Sequence, residues 1–232
     1  VRAFEASLPP LSGKHCVLFA THGPNRGAVF HSMAAAMQEK GLVVIGHFSC
    51  YGSLWLQMYP KPYFTDGHPD QQELDQAVAF GRDMVERSHR VRQGETDLLP
   101  RYRPVANDAS IDREMYPLLR VKMKLNRQKC RYPQCRLCVD NCPANGIDLD
   151  VEPMVFRRHC LNCFHCERIC PYGAIEADFA TVAKEAKDMI EANIKPYVEQ
   201  LESQGRFRRL CQVNMDTPMY RVYSQRPRFR VE

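Results

Sequence analysis

Residues 130–143 read CRYPQCRLCVDNCP, and residues 160–171 read CLNCFHCERICP. The cysteines of the first run follow the spacing C-x4-C-x2-C-x3-C-P, and those of the second run follow C-x2-C-x2-C-x3-C-P. From the second cysteine onward the two runs repeat at one common offset, which also relates Ile147 to Ile175. A repeat of this kind predicts a domain with an internal pseudo-two-fold axis.

The pattern closely resembles the signature of bacterial two-cluster ferredoxins, in which cysteine thiolates hold two 4Fe-4S clusters. Three closely spaced thiolates wrap one cluster, while the fourth cysteine lies too far along the chain to complete it and reaches the neighbouring cluster. We therefore expect crossed ligation. One cluster would take Cys130, Cys135, Cys138 and Cys170, and the other would take Cys160, Cys163, Cys166 and Cys142.

Zinc sites and a disulfide framework are the alternative interpretations of so many cysteines. Structural zinc sites usually divide their ligands into two well-separated pairs, whereas here four cysteines crowd together in each run. The pattern therefore favours iron-sulfur clusters. The one departure from the usual spacing is the x4 gap after Cys130, which adds a small loop at residues 131–134.

The composition is that of an ordinary globular protein, with 232 residues, 44% hydrophobic and 25% charged. Its longest apolar runs, such as residues 42–45, are the length of a strand, so we expect no membrane span and no signal peptide. Eight of the eleven cysteines are candidate cluster ligands, which predicts a reducing, anaerobic setting and the cytoplasm. The other three, Cys16, Cys50 and Cys211, are expected to be ordinary thiols.

The formal charge of +5 is concentrated around the cysteine runs. Clustered basic residues can indicate nucleic-acid binding, but thiolate-bound clusters carry net negative charge that nearby cations offset, and basic faces also attract acidic redox partners. We predict no nucleic-acid partner. An ordinary solvated surface is the alternative interpretation of these residues: Arg120, Lys122, Lys124, Arg127, Lys129, Arg131 and Arg136.

The N-terminal part shows a strand-helix-strand-helix order, which predicts a parallel sheet. Apolar runs at residues 15–20 and 42–48 are the predicted strands, and residues 50–52 the turn after the second. Asp70 followed by Glu73 predicts a capping box that opens the second helix. The predicted apolar face of this helix consists of Leu74, Ala77, Val78, Gly81, Met84 and Val85.

Further motifs are similar to those of flavodoxin-ferredoxin fusion proteins. They are a T-x-G loop at residues 21–23, V-I-G-x-F-x-C-x-G at residues 44–52 and G-H-P-D at residues 67–70, all upstream of the cysteine runs. The resemblance implies the second half of a flavodoxin-like domain, with the first half upstream or on another chain. It also implies FMN at the carboxyl edge of the sheet, near Thr21, His22, Gly23, Asn25, Cys50, Tyr51 and Gly52. Alternatively, Gly23 and Gly27 only shape a turn and His22 is an exposed loop residue.

We expect an α+β chain that combines a partial flavodoxin-like α/β domain, a dicluster ferredoxin-like domain, a long helix and an extended basic tail. Apolar spacing predicts the long helix, with an interruption at Pro196, and alternating basic and aromatic residues predict the tail. The predicted segments are the half domain at 1–89, a linker at 90–129, the ferredoxin domain at 130–176, the helix at 177–205 and the tail at 206–232.

The main functional prediction is an electron-transfer protein that relays single electrons between a flavin and a partner redox enzyme, as a subunit of a larger complex. Such a protein is a component of an oxidoreductase more than an enzyme in its own right. One alternative is a flavin and iron-sulfur oxidoreductase acting on its own substrate. Another is a structural subunit with a flavin-free half domain, which is favoured by the lack of a phosphate-binding loop.

Overall fold

The computed structural model describes residues 7–103, 121–151, 155–156 and 160–223. The parts of the predicted half domain, linker and tail at residues 1–6, 104–120 and 224–232 lie outside this range. The chain divides into two compact units. Unit 1 takes its described residues from Val1–Leu54, Pro62–Ala109 and Tyr197–Gln212, and unit 2 takes its described residues from Trp55–Lys61, Ser110–Pro196 and Val213–Glu232.

Unit 1 is built on two parallel strands, β1 (His15–His22) and β2 (Val43–Tyr51), which are joined by helix α1 (Val29–Glu39). The parallel pairing confirms the prediction from the strand-helix-strand order. Every second side chain of β1 points toward α1, because side chains alternate between the two faces of a strand. The core that results contains Leu18, Phe30, Ala34 and Val44, all buried.

Helix α2 (Gln71–Arg92) begins with the predicted capping box. The Asp70 carboxylate accepts a hydrogen bond from the Glu73 amide at 3.2 Å, and the Glu73 carboxylate accepts one from the Asp70 amide at 3.0 Å. The helix continues to Arg92, past the predicted end of the half domain at residue 89, and a 3-10 turn follows at Thr96–Leu98. Both elements give regular structure to the beginning of the predicted linker.

The face that α2 buries shares Met84 with the predicted face but is otherwise shifted from it. Phe80 stacks on Phe48 of β2 with ring centroids 5.3 Å apart, and Met84 is buried directly over Gly46 of the same strand. Because the helix turns this stripe toward the sheet, a neighbouring apolar stripe faces outward. Three residues of the predicted face are therefore about half exposed, namely Leu74, Val78 and Val85.

Unit 2 contains two small antiparallel sheets. Strand β3 (Met123–Leu125) pairs with β6 (Ile175–Ala177), and β4 (Ile147–Asp148) pairs with β5 (Val155–Phe156). Two short helices, α3 (Leu137–Asp140) and α4 (His165–Ile169), follow the first cysteines of each run. Strand β3 lies within the predicted linker, and its pairing with β6 makes this part of the linker a component of unit 2.

The predicted long helix is present but is not uniformly α-helical. It consists of α5 (Phe179–Met189), a π-helical segment (Ile190–Ile194) and α6 (Lys195–Ser203). Pro196 has no amide hydrogen and its ring crowds the preceding turn of an α-helix, so a wider turn before it lets the helix continue. Pro196 therefore changes the hydrogen bonding of the helix without ending it. Among the described residues, no helix is both long and apolar enough to cross a membrane.

The segment after this helix differs from the predicted extended tail as far as residue 223. Phe207 is only 6% exposed in unit 1, and the Arg209 guanidinium bonds the Glu202 carboxylate at 2.7 Å and lies over the Phe64 ring. Helix α7 (Met219–Tyr223) follows in unit 2, where the Tyr220 amide donates to the Gln57 carbonyl at 2.8 Å. Aromatic burial and ion pairing therefore hold the start of this basic segment in place.

Candidate metal centre

Unit 2 contains a partly open cavity, with about 320 Å³ of empty space that extends into solvent, and apolar side chains and thiols form almost all of its lining. Leu125 of β3 and Ile175 of β6 form part of its wall, and Leu137 of α3 forms another part. Cysteines of both runs line it. They are Cys130, Cys135 and Cys138 of the first run and Cys170 of the second.

A second cavity, with about 340 Å³ of empty space, has the opposite combination of cysteines from the two runs. Its walls include Met123 of β3, Ile147 of β4 and Phe164, which lies directly before α4. Three of its cysteines come from the second run and one from the first. They are Cys160, Cys163, Cys166 and Cys142. The two cavities thus bring together the two sets of four cysteines that the spacing predicts.

Backbone geometry carries the fourth cysteine of each run away from the other three. The Gly146 amide donates to the Cys142 Sγ at 3.1 Å, and the Ala174 amide donates to the Cys170 Sγ at 3.2 Å. These two hydrogen bonds are equivalent under the internal repeat. Amide hydrogen bonds to sulfur stabilise a thiolate, and in iron-sulfur proteins they tune the reduction potential.

Burial makes a free thiolate unfavourable at the centre of each set. Desolvation, followed by the neighbouring Cys170, Cys130 and Cys135, raises the pKa of Cys138 to about 11. Desolvation likewise raises the pKa of Cys166 to about 12, with smaller contributions from other cysteines. A coordinated metal reverses this tendency, because its positive charge deprotonates a thiol outright. The chemistry of both donor sets therefore fits a metal centre better than a set of free thiols.

The thiols surround a volume and do not meet at a point. In the described parts of the chain, no three His, Cys, Asp or Glu side chains stand close enough together to hold a single metal ion. A tetrahedral zinc site needs its sulfur ligands at about 2.3 Å from one ion. All eleven cysteines lie in the described residues, and each is a free thiol. An apolar cavity with four thiols on its walls has the donor set that a cubane cluster requires.

The residues predicted to approach a flavin meet at the carboxyl ends of β1 and β2. Thr21 pairs with Cys50 and His22 with Tyr51, and the Gly52 amide donates to the His22 carbonyl at 2.9 Å. The prediction that these residues form a loop and a turn is wrong, because the ladder extends through Thr21, His22, Cys50 and Tyr51. The loop begins only at Gly23. Its Asn25 carboxamide oxygen accepts a hydrogen bond from the Gly27 amide at 2.8 Å.

The chain's own side chains surround Tyr51 at this edge. Its ring contacts those of His22, His68 and Phe207 at centroid distances of 4.9, 5.6 and 4.8 Å, and its hydroxyl donates to the Arg206 carbonyl at 3.1 Å. His22 Nδ1 lies 2.5 Å from the Gly23 carbonyl oxygen, and burial lowers the pKa of this imidazole. These contacts cover part of the Tyr51 ring at the edge where the resemblance implies a flavin.

A 51-residue stretch is 33% identical to an uncharacterized ferredoxin of Methanocaldococcus jannaschii. The match covers 82% of that protein and 21% of this chain. The chain belongs to the ferredoxin family. No protein-family model matches the chain, and no solved structure matches it. The ferredoxin likeness concerns about a fifth of the chain, so the half domain resembling flavodoxin rests on its sequence motifs alone.

Sequence reasoning missed three features of the ferredoxin unit. Backbone N–H groups are expected to bond the cysteine sulfurs, but the sequence did not single out the amides of Gly146 and Ala174, each of which lies four residues after the last cysteine of its run. Strand β3 was also missed, although its sequence signal is clear. Residues 121–125 read VKMKL, in which apolar and charged residues alternate as they do in a half-buried strand.

Proposed function

We propose that this ferredoxin holds two 4Fe-4S clusters and relays single electrons to or from a partner redox protein. When bound, such a cluster accepts or gives one electron at a time. The observation that carries the proposal is the pair of apolar cavities in unit 2, each lined by three cysteines of one run and one of the other. One cavity would use Cys130, Cys135, Cys138 and Cys170 as ligands, and the other Cys160, Cys163, Cys166 and Cys142.

The rest of each cavity suits this role. Apolar walls limit the water around the sulfurs, and the amides of Gly146 and Ala174 stabilise the two crossing thiolates. No acid-base pair is needed for a relay of electrons alone. Free thiols at such spacing oxidise readily in air, so we also propose a reducing compartment, with the cytoplasm as the default.

The decisive experiment is iron and acid-labile sulfide analysis of anaerobically purified protein, combined with electron paramagnetic resonance after reduction. We expect about eight iron atoms per chain, because two cubane clusters are each held by four thiolates. Stoichiometric zinc, or cystine at these positions, would contradict the proposal. Electron relay is tested on the same preparation by adding an excess of an artificial one-electron acceptor. We expect this acceptor to reoxidise the reduced protein.

A second candidate function concerns unit 1. Because His22, His68 and Phe207 already contact the Tyr51 ring, we propose that unit 1 carries no flavin and serves to join the ferredoxin to a larger complex. Flavin fluorescence after denaturation tests this directly. FMN released at one equivalent per chain would instead support the relay between a flavin and the clusters, or an oxidoreductase with its own substrate.

A further inference from the structure

The two cavities of unit 2 are related by the internal repeat, but their walls differ in charge next to the first cysteine of each run, which lies before the repeated part. The residue directly after the first cysteine of each run lines the cavity of that run. In the first run this residue is Arg131, and in the second it is Leu161. The first cavity therefore has a cation in its wall where the second has an aliphatic side chain.

Three cations that neighbour lining residues in sequence have acidic partners. Lys124 and Lys129 lie 3.2 and 3.1 Å from the Glu176 carboxylate, and Arg136 lies 3.2 Å from that of Asp140. The Arg131 guanidinium bonds no carboxylate within the described residues. Among the described residues that line this cavity, it is also the one charged side chain.

The wall of the second cavity is more nearly neutral. Its described lining residues include no Lys, Arg, Asp or Glu, and His165 is the one titratable side chain besides the cysteines. Water can also stabilise added charge, and Cys163 in this cavity is exposed. Both cavities are partly open to solvent, however, so hydration acts on both, whereas the fixed charge acts on one.

We propose that Arg131 makes the first cavity the site that takes up the first electron. The inference rests on the proposed two-cluster function and specifies the order of its two sites. Each electron adds a negative charge, and a neighbouring cation stabilises that charge and raises the reduction potential. The charge of Arg131 influences which site is reduced first, and the side chain touches no substrate. Arg131 is therefore a positioning residue and not a catalytic one.

The test is a redox titration of the full chain followed by electron paramagnetic resonance, at low ionic strength. We expect two separate potentials. Arg131→Leu should lower the higher one and leave the lower one in place, while Leu161→Arg should raise the lower one.

Two further variants separate charge from structure. Arg131→Lys keeps the cation and should retain the higher potential, which a purely structural role of the arginine would not explain. Arg136→Leu removes a nearby arginine that is already paired with Asp140, and it should shift neither potential by a comparable amount. Added salt should narrow the gap between the wild-type potentials, because Arg131 is exposed and its charge is screened.

Specific results of these titrations would contradict the inference. A single shared potential in the wild type, or an unchanged higher potential in Arg131→Leu, would overturn the inference. If Arg131→Leu loses its iron, Leu161→Arg still tests the inference. An unchanged lower potential in Leu161→Arg would show that a cation after the first cysteine does not control the potential. Wild-type protein without iron and sulfide would instead refute the proposed function itself, so the two failures are distinguishable.

Discussion

Cys142 belongs to the first cysteine run by sequence, but its side chain lines the same cavity as Cys160 of the second run. The chain crosses between the cavities after α3, and the Gly146 amide holds the Cys142 Sγ at 3.1 Å. Cys170 makes the converse crossing from the second run to the first cavity. Neither cavity is therefore complete without a residue from the other run, so both runs must fold together.

We predict that Cys142→Ala removes the cluster of the second cavity and about half of the iron, since each cluster needs four thiolates. Double variants identify the cavity that is affected. Adding Cys163→Ala should cause little further loss, because both residues belong to one cavity, whereas adding Cys138→Ala should remove nearly all the iron. The measurement is iron per chain after anaerobic purification.

Cys211→Ala is the control for this series. Its Sγ donates to the Tyr63 carbonyl at 3.0 Å in unit 1 and lines neither cavity, so the iron content should not change. If Cys142→Ala and Cys138→Ala prove to affect one cluster together, with no extra loss in their combination, the crossed arrangement is wrong.

Gly146 approaches the backbone of Cys160 closely, and this contact leads to a second prediction. A Cβ added to Gly146 would lie 3.1 Å from the Cys160 Cα and 3.3 Å from its Cβ. Gly146→Ala should therefore displace a ligand of the second cavity and lower stability by about 1–3 kcal/mol, as overpacking does. Iron content and the thermal unfolding of unit 2 are the measurements.

The matched glycine change is Gly81→Ala, within helix α2. No atom lies within 4 Å of the added Cβ there, and alanine favours a helix over glycine by about 1 kcal/mol. This variant should be slightly stabilised with full iron. Equal effects from the two substitutions would show that the close approach at Cys160 has no energetic consequence.

Local patterns predicted the parts of the fold that local forces determine. Cysteine spacing grouped the eight thiols as the cavities do, and Asp70 with Glu73 marked the start of α2, because a helix cap is formed by neighbours in sequence. The burial of Phe207 could not be predicted in this way. It depends on Tyr51 and His68, more than a hundred residues away, and an aromatic residue among arginines has no periodicity to reveal its partners.

Acid should weaken unit 1 through Asp70. Its carboxylate accepts hydrogen bonds from the Arg208 guanidinium and from the Glu73 amide, and these hold its pKa below the usual range. A folded-state pKa that is lowered contributes stability above the unfolded pKa of about 3.9, and this contribution is lost as pH falls through the folded value. Asp70→Asn keeps a good helix cap but removes the charge.

We therefore expect Asp70→Asn to lower the thermal midpoint at neutral pH and to converge with the wild type as pH falls through the lowered pKa of the wild-type carboxylate and protonates it. Asp75→Asn, on the same helix, is the control, because Asp75 bonds only the exposed Gln71 side chain within the described structure. If the thermal midpoints of Asp70→Asn and the wild type differ by the same amount across this pH range, the charge of Asp70 does not stabilise unit 1.

Glu73 connects three elements of unit 1 through buried polar contacts. Its carboxylate lies 2.6 Å from Nδ1 of His68 and accepts a hydrogen bond from the Tyr51 amide at 3.2 Å. The other ring nitrogen of His68 lies 2.8 Å from the Arg208 carbonyl oxygen, so the imidazole joins Glu73 to the segment after α6. Removing the carboxylate would leave a buried imidazole and a strand-end amide without their acceptor.

We predict that Glu73→Ala destabilises unit 1 by about 1–3 kcal/mol, the usual cost of leaving a buried hydrogen-bonding group without its partner. Glu73→Gln, which keeps an acceptor oxygen, should cost less. Glu86→Ala removes an exposed carboxylate from the same helix and should change stability by no more than about 0.5 kcal/mol. Amide hydrogen exchange of β2 and α2 measures these effects within unit 1, while fluorescence of Trp55, the single tryptophan, follows unit 2. A loss from Glu73→Ala no larger than that from Glu86→Ala would show that the His68 contact does not stabilise the unit.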